Sequence, residues 1–479
     1  MRLDALAPDL AAPFGDRAAV PVAGVTADSR AVRAGMVFAA LKGAKAHGAE
    51  FAADALAKGA VAILTDLEAP MPEGALVLRD ADPRRRLALM AAMLAGRQPE
   101  RVVAVTGTAG KTSVAEFVRQ IMTAAGRKAV SIGTLGLRGA IELPGGLTTM
   151  DPVLLHARLA ELADAGVTDV AMEASSHGID QRRLDGVQLV AAGFTNLGRD
   201  HLDYHGTVEA YLAAKLRLFD TLLPEGAMSV VNPDSPGGAA VVAAAANPFT
   251  VGPNGEGLRL LSAQNTAEGA RLRLRGEAEH EVLLPLIGGF QVANALVAAG
   301  LAMAAGVPEI DAVGALASLT GAPGRLELVG RINEAPVFVD YAHKPEAVVA
   351  ALQAVRPGTR GRLFVVIGAG GDRDAGKRPL MGAAAHENAD AVVVTDDNPR
   401  TEDPAAIRQA VMAGAPGAVE IGDRRAAIAH ALAALGPGDA LVVAGKGHES
   451  GQTVGAVTTP FDDRAVVREE MARLEGGAA

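Results

Sequence analysis

The chain has 479 residues, 49% of them hydrophobic, with 56 Gly, no Cys, no Trp and only 3% aromatics. The absence of cysteine excludes a disulfide framework, a thiolate metal site and a thiol nucleophile, and a net charge of −10 argues against a nucleic-acid partner held by a broad basic face. The length predicts roughly three domains of about 150 residues each, and the Ala-, Val-, Leu- and Gly-rich filling suits helices packed closely on sheets.

The opening MRLDALAPDLAAPFGD carries Asp4 and Asp9 where a signal peptide needs an unbroken apolar run. A soluble cytoplasmic protein without a membrane span is expected. The first segment, residues 1–98, mixes short apolar strands (VAILT at 61–65, then LVLRD) with Gly-rich turns. Its most distinctive piece, TADSRAVRAGMVFAALKG, leads polar residues into a strand. A helix is predicted over 84–96, and GRQPE reads as a linker because Pro99 breaks the pattern.

The second segment, 99–325, opens with the strand VVAVT and runs through TGTAGKTS into a helix. Strand, glycine turn, Gly-Lys-Thr and helix form a phosphate-binding arrangement: backbone N–H groups face the anion, Lys111 adds charge, and Thr112 can reach a Mg²⁺. The first glycine of the common pattern is missing, since Val105 stands there, but Gly107 and Gly110 still permit close approach. VTDVAME, VQLVAAGFTN and AMSVVNPD continue as strands alternating with helices, which predicts a largely parallel sheet. Residues 249–286 read as antiparallel hairpins, and FQVANALVAAGLAMAAGV (290–307), interrupted by Gln291 and Asn294, as a buried helix.

Two polar clusters follow strands here. MEASSHGIDQRRLDG carries Glu173, Ser175, Ser176 and His177; NLGRDHLDYHG carries Asp200, His201, Asp203 and His205. Glu173 with His201 supplies ligands suited to Mg²⁺ or Mn²⁺ more than zinc. Lys215, among Leu212, Leu216 and Leu218, reads by itself as a snorkelling surface lysine.

In the third segment, 326–479, VFVDYAH, LFVVIGAGG, AVVVTDDNP and ALVVAGKG are four apolar strands ending in polar turns, where ligands collect in open α/β sheets. In DDNPR, Arg400 can bind a carboxylate bidentately, while Asp397 and Glu449 can hold an ammonium. That combination complements the zwitterionic end of an amino acid.

With these residues in order (DSR; TGTAGKTS, TT, SSHGIDQRR, NLGRDHLDYHG and AAKLRLF; GRLE, DYAHKPE, GGDRDAGKRP, DNPR and GKGHE), the chain resembles the ATP-dependent Mur ligases over nearly its whole length. Among them it is most similar to the branch that adds meso-diaminopimelate to UDP-N-acetylmuramoyl-L-alanyl-D-glutamate. That family's phosphate loop is TGTxGKT, so the loop is intact for its own class. The resemblance implies an α/β protein of three domains: 1–98 for the UDP end, 99–325 with a P-loop-type, mostly parallel sheet for ATP, and a Rossmann-like 326–479 for the amino acid. It assigns Gly107, Thr108, Ala109, Gly110, Lys111, Thr112 and Ser113 to the ATP phosphates, with Asn294, Arg325 and Asp340 for the rest of the nucleotide. Ser29, Ala44, Lys45, Ala46, Thr148, Thr149, Ser175, Gln181 and Arg183 would hold the UDP-muramoyl dipeptide. Arg373, Asp397, Asn398, Pro399, Arg400, Gly445 and Glu449 would hold diaminopimelate. Lys215 matches a lysine carbamylated in the family, whose new acid would join Thr112, Glu173 and His201 at Mg²⁺. Lys111, Glu173, His201 and Lys215 form the implied catalytic set, in a monomer.

Leu147, Met150, Gln291 and Lys344 depart from the family's usual Asn, Pro, Asn and Thr. A lysine-adding relative, a folylpolyglutamate synthetase and a non-catalytic nucleotide-binding module are the alternatives. DNPR weighs against the first, because a second carboxylate needs a positive partner and lysine has none at that end; DNPR and GKGHE weigh against the second, and intact Lys111, Glu173, His201 and Lys215 against the third.

Overall fold

The computed structural model describes residues 1–43, 46–266 and 268–476. Two compact units form: Met1–Arg259 with Leu296–Ala312, and Leu260–Ala295 with Val313–Ala479.

The first unit begins with a parallel sheet of β1 (Gly24–Thr26), β2 (Met36–Ala39), β3 (Ala62–Thr65) and β4 (Val77–Arg79), paired in sequence order. The helix Pro83–Ala95 covers it, and its boundaries follow from local chemistry. Asp82 caps the start by accepting from the Arg85 N–H, Pro83 sits in the first turn, and Gly96 ends the helix at φ 80°. Leu87 and Met90 pack with Val25, Val37, Leu64 and Leu78.

The larger sheet of this unit runs β11-β10-β9-β5-β8-β6-β7. Its strands are β5 (Arg101–Thr106), β6 (Ala129–Gly133), β7 (Gly136–Gly139), β8 (Asp169–Glu173), β9 (Leu189–Phe194), β10 (Met228–Val231) and β11 (Pro248–Gly252). All pairs are parallel except β6 with β7. β5 is central, and its Val102–Val105 run is buried on both faces, as a continuous apolar strand requires. The 290–307 segment is the expected helix, Gly289–Ala304. It lies so close to β9 that a Cβ on Gly193 would come 2.8 Å from Leu301.

Residues 249–286 depart from the hairpin expectation. β11 pairs in parallel with β10, and β12 (Leu258–Thr266) starts in parallel with β11. An antiparallel hairpin is formed by β13 (Gly269–Arg275) and β14 (Glu279–Leu284), where Leu272 faces Val282. Alternation reports a half-exposed strand but not its direction, which explains the difference.

The second unit holds β15 (Glu327–Ile332), β16 (Ala335–Asp340), β17 (Leu363–Ile367), β18 (Ala391–Val394), β19 (Val419–Glu420) and β20 (Ala440–Ala444), in the order β15-β16-β20-β17-β18-β19. Only β15 is antiparallel to its neighbour. Val365 and Ile367 pack with Val348, Leu352 and Met381 on one face; Phe364 and Val366 pack with Ile428, Val467 and Met471 on the other. Side chains alternate along a strand, so LFVVI must be apolar throughout to bury both faces. The turns after β16, β17, β18 and β20 therefore leave the same sheet at its carboxyl ends.

Candidate active site

The phosphate loop is held from behind by the segment after β9. Asn196 O accepts the Thr108 N–H at 2.8 Å, Asn196 Oδ1 accepts the Ala109 N–H at 3.1 Å, and Thr195 Oγ1 donates to Ala109 O at 2.6 Å. Gly107 has φ 149°, and a Cβ there would lie 1.8 Å from Thr195 Oγ1. Gly110 is left-handed and opens the helix Lys111–Ala124, whose first N–H groups lie at the loop. Lys111 Nζ donates to the carbonyls of Gly107 (2.8 Å) and Thr108 (3.1 Å); Ser113 is buried.

Glu173 ends β8 beside this loop. Its Oε1 accepts from Thr112 Oγ1 at 3.0 Å and from the Thr134 N–H at 2.8 Å. Gly133 makes room, because a Cβ there would meet Glu173 Oε1 at 2.1 Å. The Thr112 hydroxyl and Glu173 carboxylate are hard oxygen donors at the mouth of a phosphate loop, a pairing that fits Mg²⁺. His201 lies in the left-handed region (φ 52°), with its ring 4.7 Å from that of His177 and 6.2 Å from that of Tyr211.

Lys215 is not a snorkelling lysine. It is 1% exposed, donates to Gly107 O at 2.9 Å, and stands 4.3 Å from the centre of the Tyr211 ring. Burial, reinforced by the charge of Lys111, pulls its ammonium down from 10.5 to about 6. The neutral amine therefore dominates near neutral pH. The leucines around it mark burial rather than a stem lying along the surface.

Ser29, Ala46, Gln181 and Arg183 line one cavity of about 820 Å³, together with Arg30, Arg84, Leu147 and Asp151. Ala44 and Lys45 lie outside the described residues. Arg183 donates to Thr149 O (2.6 Å) and Gln181 Oε1 (2.7 Å). Thr149 Oγ1 donates to Glu173 O and accepts the Ser175 N–H, while Thr148 and Thr134 share a 3.0 Å hydroxyl contact. The expected dipeptide-binding residues Thr148, Thr149, Ser175, Gln181 and Arg183 thus form one network that continues to Glu173. Leu147 is 60% exposed at the cavity, and Met150 packs on the core below.

In the second unit, Asn294, Arg325 and Asp340 are connected. Asn294 Nδ2 donates to Gln291 Oε1 (3.3 Å), and Gln291 Nε2 donates to Arg325 O (3.2 Å). The Arg325 guanidinium lies 4.5 Å from the Tyr341 ring centre, and Asp340 Oδ2 accepts the Leu326 N–H at 2.6 Å. Gln291, a departure from the family pattern, is buried and bridges two expected nucleotide residues.

The DDNPR turn is folded in, not solvated. Asp397, Asn398 and Pro399 are buried, and Asn398 and Arg400 take left-handed φ of 43° and 53°. Asn398 Nδ2 donates to Glu449 Oε2 at 2.8 Å; Arg400 Nη1 donates to Gly371 O at 2.8 Å. Gly445 is obligatory, since a Cβ would lie 2.4 Å from Asp397 Oδ2. Arg373 is exposed on the same side of Gly370 as Arg400.

Sequence reasoning passed over several contributors. Lys446 is fully buried and donates to Asn398 Oδ1 (3.0 Å) and Gly451 O (2.8 Å), with Asp397 Oδ1 at 3.3 Å. Its signal was a lysine between two glycines after a buried strand. Tyr211 stands one helical turn before Lys215, a spacing that makes them neighbours, and its hydroxyl meets Thr108 Oγ1 at 3.2 Å. Thr134 had no signal beyond being a polar residue after a strand, and Asn196 stood at the head of NLGRDHLDYHG without a role of its own.

Comparison with known proteins agrees with this geometry. Family models described as the Mur ligase family catalytic domain, the Mur ligase middle domain and the Mur ligase glutamate ligase domain match residues 21–98, 105–302 and 324–447. The chain is 56% identical, over 96% of each chain, to the UDP-N-acetylmuramoyl-L-alanyl-D-glutamate--2,6-diaminopimelate ligase of Brucella melitensis. It is similar to a solved structure of a ligase with that same name, at 34% identity and a TM-score of 0.74 over 99% of each chain. It also shares its fold with the MurF ligase of Thermotoga maritima in complex with ADP, at 20% identity and a TM-score of 0.61 over 96% of this chain and 99% of that one. The chain belongs to the Mur ligase family.

Proposed function

We propose that the protein is the ATP-dependent ligase that joins meso-diaminopimelate to UDP-N-acetylmuramoyl-L-alanyl-D-glutamate in peptidoglycan precursor synthesis. The observation that carries this reading is the turn from Asp397 to Arg400, buried as far as Pro399, with Glu449 held against it by Asn398: two carboxylates for an ammonium and a guanidinium for a carboxylate. Diaminopimelate offers a second carboxylate for Arg400, and lysine has none at that end.

The free D-glutamyl carboxylate attacks the γ-phosphorus of ATP, giving an acyl phosphate and ADP. The amine of diaminopimelate then adds to the acyl carbon, and the tetrahedral intermediate collapses to amide and phosphate. Positioning and charge neutralisation supply most of the rate. Lys111 and the loop residues Gly107, Thr108, Ala109, Gly110, Thr112 and Ser113 hold the transferring phosphates, with the N–H groups that open the helix at Lys111 facing them; Asn294, Arg325 and Asp340 hold the rest of the nucleotide. The cavity with Ser29, Ala46, Gln181 and Arg183 takes the UDP-muramoyl substrate, with Thr148, Thr149 and Ser175 orienting its peptide end. Arg373, Gly445 and Glu449 complete the amino-acid pocket.

Thr112, Glu173, His201 and a carbamate on Lys215 would hold Mg²⁺, which supplies charge neutralisation at the phosphates. The carbamate reading is supported by the depressed ammonium. An amine neutral near pH 7 keeps its lone pair for CO₂, forming an N–C bond and releasing one proton. The division into 1–98, 99–325 and 326–479 follows the three substrates. Each chain carries the full residue set, so a monomer suffices. Among the described residues no helix is long and apolar enough to cross a membrane, and with ATP and a UDP-linked substrate this supports action in the cytoplasm.

The test is product mass and phosphate release with ATP, Mg²⁺ and UDP-N-acetylmuramoyl-L-alanyl-D-glutamate, with diaminopimelate in one reaction and L-lysine in another. A tripeptide with diaminopimelate alone is expected. Product with lysine alone overturns the reading of Arg400, and no product with either overturns the ligase.

A further inference from the structure

A second cavity, of about 470 Å³, is lined by Arg119, Thr123, Arg127, Lys128, Arg138 and Glu142, among others. None of its lining residues belongs to the phosphate loop. Lys128 directly precedes β6, and its carbonyl accepts the N–H of Thr168 just before β8. The cavity is thus at the amino ends of parallel strands whose carboxyl ends carry the loop and Glu173. Arg119 is eight residues beyond Lys111 on the same helix, a rise of about 12 Å.

Four cations gather here in a chain of net charge −10. Two have carboxylate partners: Arg119 pairs with Glu116, and Arg127 with Asp169 at 3.0 Å. Lys128 donates to a carbonyl, Ala165 O, at 2.6 Å. Among the described residues the Arg138 Nε is buried with no hydrogen-bond partner. Arg138 also makes no ion pair among the described residues, so it brings to this cavity a charge that no carboxylate there neutralises. Glu142 is the one carboxylate among the lining residues.

The donors arrive from different directions: Arg119 from a helix, Arg138 from β7, and Arg127 with Lys128 from the turn before β6. A carboxylate offers acceptor oxygens in one plane, whereas a phosphate offers them in three dimensions and suits both arginine forks and an ammonium. We propose that this basic cavity is a second anion site, separate from the nucleotide loop, that takes a small phosphate-bearing ligand.

Calorimetric titration with inorganic phosphate at constant ionic strength tests the proposal, using the Lys111→Ala chain so that the nucleotide loop is weakened. A phosphomonoester, glycerol 1-phosphate, is titrated in parallel to separate free phosphate from an esterified source. Saturable binding is expected in the wild type and in Lys111→Ala. Arg138→Gln and Lys128→Gln should each weaken it by about tenfold or more, with ATP affinity unchanged. Lys128 is exposed, so its variant serves even if Arg138→Gln does not fold. Absence of saturable binding with both probes in Lys111→Ala, or wild-type affinity in Lys128→Gln and every folded Arg138 variant, overturns the site.

Discussion

Lys215→Met isolates the cost of burying an amine in this fold. Between about pH 6, the folded value, and 10.5, the ordinary lysine value, the unfolded chain binds the extra proton. Stability therefore rises with pH across that window. At about pH 7.5 the gap spans roughly three pH units, which at about 1.4 kcal/mol per unit costs the native protein about 4 kcal/mol. The side chain is 1% exposed, so solvent screening removes little of this. The variant loses the Nζ contact to Gly107 O, about 1 kcal/mol, while Lys111 still serves that carbonyl. Lys215→Met should thus be more stable than wild type by about 3 kcal/mol near pH 7.5, and the advantage should shrink by about 1.4 kcal/mol per unit as pH rises. Urea unfolding in CO₂-free buffer, followed by circular dichroism at pH values of about 6.5, 7.5 and 8.5, reads this directly. An advantage independent of pH, or a variant less stable throughout, refutes the reasoning. Addition of ¹³C-bicarbonate to the wild type should give a carbamate carbon resonance that the variant lacks.

Arg400→Ala should raise the KM for diaminopimelate far more than that for ATP, since a partly buried charged contact is worth about 2–5 kcal/mol; equal effects in steady-state kinetics count against the assignment. Lys446→Met leaves the buried Asp397 carboxylate without its 3.3 Å partner and should cost about 3–5 kcal/mol in denaturant unfolding, whereas a loss below about 1 kcal/mol would mean the pair is dispensable. Gly107→Ala places a methyl 1.8 Å from Thr195 Oγ1, so ATP binding measured by calorimetry should fall steeply; wild-type affinity would show that the loop adapts.

The strands were legible because their burial is written in composition. VVAV (102–105), LFVVI and ALVVA are apolar at every position, as a strand covered on both faces requires. The phosphate loop was legible because its chemistry is local: Gly107, Gly110, Lys111 and Thr112 lie within six consecutive residues. The direction of β11 and β12 was not, because parallel and antiparallel edges have the same alternation. Lys215 was read as a surface residue because a lysine amid leucines looks alike whether its tip reaches water or a carbonyl.

The sequence by itself determined the α/β class, most of the order of the elements and the candidates for phosphate and carboxylate chemistry, because periodicity, glycine turns and charge types act over a few residues. The tertiary structure alone decided which of those residues share an environment. Glu173 meets Thr134, Lys215 meets Gly107, and Lys446 meets Asn398 across separations of 39, 108 and 48 residues. Chain folding sets such proximities, and proximity with exclusion of water is what turns an ordinary lysine into a neutral amine.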